Sequence, residues 1–227
     1  NKILLKREDL QPIFSFKVRG AYNKLKNLTR EQMCKGVIAA SAGNHAQGVA
    51  IAAKKLQIHA TIVMPVTTPR IKVDAVQAYG AEVVLYGDDY NSAAAYAEQL
   101  SEKEKSVFVH PFDDRDVIVG QGTIGMEIHR QIAQPLDAIF IAVGGGGLCA
   151  GIAAYLSAMR PETKIIAVES DDAACLAAAI EAGHPVRLPE VGIFADGTAV
   201  AEIGNHTWGV LKDLVHEVIA VTTDEIC

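Results

Sequence analysis

A lysine set between an aromatic and a β-branched residue, in Ser15-Phe16-Lys17-Val18-Arg19-Gly20, is a candidate for a partly desolvated amine at the start of a helix-like segment. Desolvation disfavours the ammonium form, lowers the pKa and frees the lone pair that a Schiff base requires. The ordinary alternative is a surface lysine on an amphipathic helix, solvated as most lysines are. A second group, Ser41-Ala42-Gly43-Asn44-His45-Ala46-Gln47-Gly48, directly follows a short apolar run. There a loop of small residues leads into a helix whose first-turn N–H groups lack internal partners, an arrangement that attracts a carboxylate or a phosphate. Asn44 could instead cap its own helix, and His45 alone reads as a structural histidine before it reads as a catalyst.

The third group is Val143-Gly144-Gly145-Gly146-Gly147-Leu148. Successive glycines after a strand let backbone N–H groups converge on an anion, and the following helix adds its positive end. Several charge-assisted hydrogen bonds at roughly 1.5–3 kcal/mol each would hold a phosphate firmly. A flexible linker is the alternative, but linkers rarely separate a buried strand from an apolar helix. This loop matches neither G-x-G-x-x-G nor G-x-x-x-x-G-K-[ST], so a dinucleotide fold or a P-loop is the weaker phosphate reading.

The elements that must position these groups alternate along the chain. Apolar runs rich in Val and Ile, without polar alternation, fall at 37–40, 60–64, 82–86, 107–109, 138–143, 165–168 and 218–221 and read as buried parallel strands. Helix-like segments lie between them at 44–56, 69–79, 91–103, 119–132, 147–159, 173–182 and 207–214, with Pro69 at a first helical position and Gly80 and Gly183 at ends. This alternation implies right-handed crossovers and parallel sheets covered on both faces. Ligands of such sheets bind at the carboxyl ends of the strands, which puts the chemistry in the loops after Ala40 and Val143. The chain opens on a strand-like Ile3-Leu4-Leu5 and stops as Thr223-Asp224-Glu225 begins a helix, so an excerpt of a longer protein is expected.

Composition narrows the function classes. Half of the 227 residues are hydrophobic, 6% are aromatic and 19 are glycine, as in an α/β enzyme. A net charge of −6 with scattered basic residues argues against nucleic acid as a partner. Cys34, Cys149, Cys175 and Cys227 form no C-x-x-C pair, and the seven histidines form no ligand spacing, so no metal site is expected and a reducing cytoplasmic setting fits. Residues 138–159 hold 22 positions without a charge, long enough on paper to span a bilayer. The four glycines interrupt them, each costing a helix about 1 kcal/mol relative to alanine. Strand, loop and helix is the expected reading there, not a membrane span.

A reactive lysine, a small-residue anion loop and a tetraglycine loop, in that order, resemble the fold-type II pyridoxal-phosphate enzymes, and the resemblance covers essentially the whole chain. Within that family Lys6-Arg7-Glu8-Asp9-Leu10-Gln11-Pro12, residues 41–48, Ile71-Lys72-Val73-Asp74-Ala75-Val76 and Gly120-Gln121-Gly122-Thr123 are most similar to the biosynthetic threonine dehydratases. The resemblance implies pyridoxal 5'-phosphate as cofactor and Lys17 as the lysine joined to it. It implies Asn44 at the cofactor's 3-hydroxyl, and Gly144, Gly145, Gly146, Gly147 and Leu148 at its phosphate. Phe16 and Gly197 would flank the pyridine ring, while Ser41, Ala42, Gly43, Asn44 and His45 would take the substrate carboxylate. The group opposite the pyridine nitrogen would come from a later segment than Cys227. The implied fold is α/β, two parallel-sheet domains with helices on both faces, like tryptophan synthase β. Residues 31–113 would form a small domain inserted into a larger one made of 1–30 and 114–227.

The implied reaction converts L-threonine to 2-oxobutanoate and ammonia, the first step of isoleucine biosynthesis, with an amino acid as substrate partner and a homo-oligomer, dimer or tetramer, as the assembly. Serine dehydratase or racemase chemistry is the nearest alternative. Racemases carry a serine where this chain has Ala42, and a methyl group moves no proton. They also hold a divalent cation with a Glu and an Asp six residues apart. Here Glu169 is followed at that distance by Cys175, with Asp171 and Asp172 between, and losing a hard oxygen ligand weakens such a site. A non-catalytic sensor of the same fold is the alternative from another class, and Lys17 speaks against it.

Overall fold

The structure, a computed structural model, describes residues 2–227. They divide into two compact units, one ending at Pro111 and the other beginning at Phe112.

The first unit opens with a 3-10 turn, Glu8–Leu10, then α1 (Lys17–Lys26) and α2 (Arg30–Lys35). A wound segment follows: β1 (Val37–Ala40), α3 (Asn44–Leu56), β2 (Ala60–Met64), α4 (Arg70–Ala78), β3 (Glu82–Leu85), α5 (Tyr90–Glu104) and β4 (Val107–Phe108). Its sheet is parallel with order β3-β2-β1-β4, and Val37 to Ala40 pair in register with Ala60 to Val63. Central β1 and β2 are buried at every position. Ile38, Ala40 and Val63 pack there against Ala93 and Ala97 of α5, with Tyr96, Leu100 and Phe108 around them. α3 buries Ala46, Val49, Ala50, Ala52 and Ala53, a small-residue face that brings it close to its neighbours. A Cβ on Gly48 would lie 3.1 Å from the Lys17 backbone carbonyl, so this glycine sets how closely α3 and α1 can pack.

The second unit runs α6 (Arg115–Gln131), β5 (Ala138–Ala142), α7 (Gly147–Met159), β6 (Lys164–Ser170), a 3-10 turn Asp171–Ala173, α8 (Cys175–Ala182), α9 (Asn205–Leu214), β7 (Glu217–Val221) and α10 (Thr223–Ile226). Its sheet is parallel, in the order β5-β6-β7. α6 and α7 touch backbone to backbone at Gly122 and Gly151, where a Cβ on Gly151 would sit 2.3 Å from the Ile118 carbonyl oxygen.

All seven expected strands are present, and α3 and α7 span the expected residues. Three expectations change. Ile3-Leu4-Leu5 forms no strand. The β5 strand is not buried throughout: it lies at the edge of its sheet, and Phe140 on it is 65% exposed. α2 was not expected; it begins at a capping box, Thr29 Oγ1 accepting from Gln32 N–H while the Gln32 side chain accepts from Thr29 N–H. The uncharged run at 138–159 is strand, loop and a helix of 13 residues, and no helix among the described residues is long and apolar enough to cross a membrane. The first unit ends at Pro111, and α1 packs on α3 within it.

Candidate active site

In the first unit Lys17 opens α1, with Phe16 at the N-cap and no side-chain cap. Its ammonium donates to the Pro111 carbonyl oxygen at 2.8 Å and lies 5.5 Å from the centroid of the Phe16 ring. Burial of the amine pushes its pKa down from 10.5 to about 8. The solvated-lysine reading therefore fails. Glu8 secures the helix from outside, its carboxylate taking Arg19 Nε at 2.7 Å and Nη2 at 2.8 Å. Residues 6–12, read above as a family signature, thus hold the residue two positions beyond the lysine. Pro111 was not anticipated; every residue offers a carbonyl, and no side-chain pattern marks which one a lysine 94 positions away will meet.

The loop after β1 begins with Ser41 N–H bonded to the Val63 carbonyl, and Ser41 Oγ accepts from Gly43 N–H at 3.1 Å. Gly43 is the N-cap of α3, without a side-chain cap bond, and Asn44 is the first helical residue and exposed. The Asn44 amide is therefore not spent on capping, as one of the two readings supposed. His45 is buried, its Nε2 2.8 Å from the Val109 carbonyl oxygen, and so ties α3 to the chain just beyond β4. Ala42 and Gly43 are partly exposed, and a Cβ on Gly43 would meet nothing within 4 Å.

In the second unit the tetraglycine loop joins β5 to α7, and protein atoms crowd each glycine. A Cβ on Gly144 would press on the Thr198 backbone at 3.0 Å, one on Gly145 on the Phe112 ring at 2.4 Å, and one on Gly147 on the Phe112 backbone at 3.0 Å. Gly146 has φ +89°, a conformation side chains rarely adopt, and faces Ile203, Thr207 and Leu211. The loop's carbonyls are taken inward. Gly144 O accepts from Cys175 Sγ at 3.4 Å, Gly145 O from Thr207 Oγ1 at 2.8 Å, and Gly146 O from Ala150 N–H at 2.8 Å. The first-turn N–H groups of α7, Gly147 and Leu148 among them, are left without helical partners. Phe112, Thr198 and Thr207 went unrecognised in the sequence because they act on the loop from 32 or more positions away.

Gly197 belongs to a turn closed by Thr198 N–H on the Ala195 carbonyl; it is exposed, and nothing lies within 4 Å of where its Cβ would be. Glu169 is buried, with Oε1 2.8 Å from Leu176 N and Oε2 2.9 Å from Ala177 N. It thus caps α8, its pKa raised by burial. Both of its oxygens are committed to backbone donors.

The first unit thus offers a desolvated amine at Lys17, and the second a glycine loop whose carbonyls are tied inward. Residues 1–227 match the family of pyridoxal-phosphate dependent enzymes, and the chain belongs to it. Among curated relatives, the biosynthetic L-threonine dehydratase of Burkholderia multivorans is 52% identical over 230 residues, covering 100% of this chain and 45% of its own length. The processed form of threonine deaminase isoform 2 from Solanum lycopersicum superposes with a TM-score of 0.95 at 52% identity, covering 96% of this chain and 64% of that one. Serine racemase from Dictyostelium discoideum gives a TM-score of 0.89 at 34% identity over 97% of this chain and 70% of that one. The chain spans less than half the length of the curated relatives it matches.

Proposed function

We propose that this chain carries the chemistry of an L-threonine ammonia-lyase, yielding 2-oxobutanoate and ammonia on the route to isoleucine. The observation that carries the reading is the Lys17 amine, desolvated to a pKa of about 8 and held at the Pro111 carbonyl. In this reading Lys17 would hold the cofactor at its aldehyde, and Gly144 to Leu148 would hold its phosphate through backbone N–H groups. Asn44, whose amide is not used as a cap, would meet the 3-hydroxyl, and Phe16 and Gly197 would flank the ring. When bound, pyridoxal phosphate supplies an electron sink for the charge left at the substrate's α-carbon. The residues around it do the rest. An amine near pKa 8 exchanges a proton readily close to neutral pH, which suits Lys17 to take the α-proton. Ser41 and Gly43 offer the substrate carboxylate a loop with open space where a side chain at 43 would stand, and His45 acts on it indirectly by anchoring α3.

Ala42 separates threonine elimination from serine racemisation, since its methyl group offers no proton to the opposite face of the substrate. Turnover of L-threonine should exceed that of L-serine in the full chain, with no D-serine formed. Appreciable D-serine would overturn the role given to Ala42. A cytoplasmic setting and a homo-oligomer, dimer or tetramer, go with this reading. The first is supported by four free cysteines, and light scattering on the purified protein tests the second.

Gly197 gives a prediction that separates ligand from fold. Gly197→Leu places atoms where the protein has none, so the cofactor-free form should keep its stability to within about 0.5 kcal/mol. Filling the ring face should weaken pyridoxal phosphate binding about tenfold, an overpacking cost of ordinary size. Titration of the apo-protein, followed by visible absorbance, reads the second effect, and unchanged affinity would remove Gly197 from the ring.

A further inference from the structure

A trans peptide is planar, so the carbonyl of one residue and the N–H of the next point in opposite directions. Whatever grips a loop carbonyl therefore aims the following amide. In the tetraglycine loop Thr207 Oγ1 grips Gly145 O at 2.8 Å, and so sets the direction of Gly146 N–H. The Cys175 thiol, a weaker donor, does the same for the peptide before it through Gly144 O at 3.4 Å. Thr207 is fully buried and is itself fixed by the Asp113 carboxylate, which accepts from the N–H groups of Asn205, His206 and Thr207 at 3.0, 2.7 and 3.2 Å and caps α9. One hydroxyl proton faces two acceptors, Gly145 O at 2.8 Å and Gly204 O at 3.0 Å; the shorter distance is to the loop. Without the hydroxyl, Gly145 O would keep only the Gly204 N–H at 3.4 Å. A glycine peptide then has little to prevent it from turning.

We propose that Thr207 is a positioning residue that holds the Gly145–Gly146 peptide with its N–H directed at the cofactor phosphate. The inference rests on the phosphate role given to this loop above. The test titrates the apo form of the full chain with pyridoxal phosphate and, separately, with pyridoxal, which lacks the phosphate. Thr207→Val keeps the shape and removes the donor. It should raise the Kd for pyridoxal phosphate about tenfold, the scale of one lost buried hydrogen bond, and leave the Kd for pyridoxal unchanged. Thr207→Ser, which keeps the hydroxyl, should bind both as the wild type does. Equal weakening toward both ligands, or none toward either, overturns the proposal. Should the valine variant not fold, Thr207→Cys, similar in size and a weaker donor, should show a smaller loss confined to pyridoxal phosphate, and wild-type affinity in that variant also overturns it. If the wild type itself binds the two ligands equally, the phosphate role of the loop fails first, and that result is read without any variant.

Discussion

Lys17→Ala should lower threonine turnover by at least about a thousandfold, the scale of losing both the covalent anchor and the proton acceptor, and should remove the visible absorbance of protein-joined cofactor. Colour that survives the substitution would take the residue out of its role. The same site carries a stability prediction of opposite sign. The folded pKa of Lys17 is about 8 against 10.5 for a free side chain, lowered by burial. Below pH 8 the lysine is protonated in both folded and unfolded chains, and the folded state bears the cost of a desolvated ammonium. Between pH 8 and 10.5 the unfolded chain binds the proton and the folded one releases it, so stability rises with pH across that window. Lys17→Met, of similar length and uncharged, should therefore stabilise the apo form at pH 7 by on the order of 1–3 kcal/mol. The advantage should shrink toward pH 10.5. Thermal midpoints of apo wild type and apo Lys17→Met at pH 7 and pH 10 measure both numbers. A less stable variant at pH 7, or a gap that widens with pH, would mean the amine is not desolvated.

Local pattern reached most of the fold and part of the site. The strands at 37–40 and 60–64 were legible because their runs of apolar residues sit in the centre of a sheet, buried at every position. Edge strand β5 reads the same way in sequence and yet leaves Phe140 exposed, since strand order is a long-range property that no local run encodes. α2 escaped because Arg30-Glu31-Gln32-Met33-Cys34-Lys35 has no apolar stripe; its signal was the Thr29-x-x-Gln32 box. The glycine loop was legible as a loop between a strand and a helix, but not the reason for four glycines. Gly145 and Gly147 give way to Phe112, and Gly144 to Thr198. These partners lie far off in the chain, and none is of a type that chemistry alone would single out. Asn44 and His45 show the converse. Residue type left each with two readings, and one hydrogen bond, made by His45 and not by Asn44, distinguished anchor from available amide.

Gly151→Ala should be among the most damaging single-methyl changes in the chain, although it puts the best helix former into the middle of a helix. The added carbon would fall 2.3 Å from the Ile118 carbonyl oxygen and 2.6 Å from Gly122 N, both backbone atoms of α6 that cannot swing aside as a side-chain tip can. α6 and α7 must therefore separate, and overpacking of this kind costs typically 1–3 kcal/mol, here at the upper end or beyond. The gain of about 1 kcal/mol in helix propensity offsets only part of it. Gly209 provides the control. It lies in α9, exposed, with nothing within 4 Å of where a Cβ would stand, so Gly209→Ala should raise stability by about 0.5–1 kcal/mol. One substitution type thus carries opposite signs at two helical glycines, and thermal midpoints of the two variants read them directly. Gly151→Ala should reach further, because α7 begins at Gly147 and moving its axis carries the loop amides with it. Weaker pyridoxal phosphate binding should accompany the lost stability at position 151 and be absent at 209. A Gly151→Ala variant as stable as the wild type would show that the two helices do not meet at their backbones.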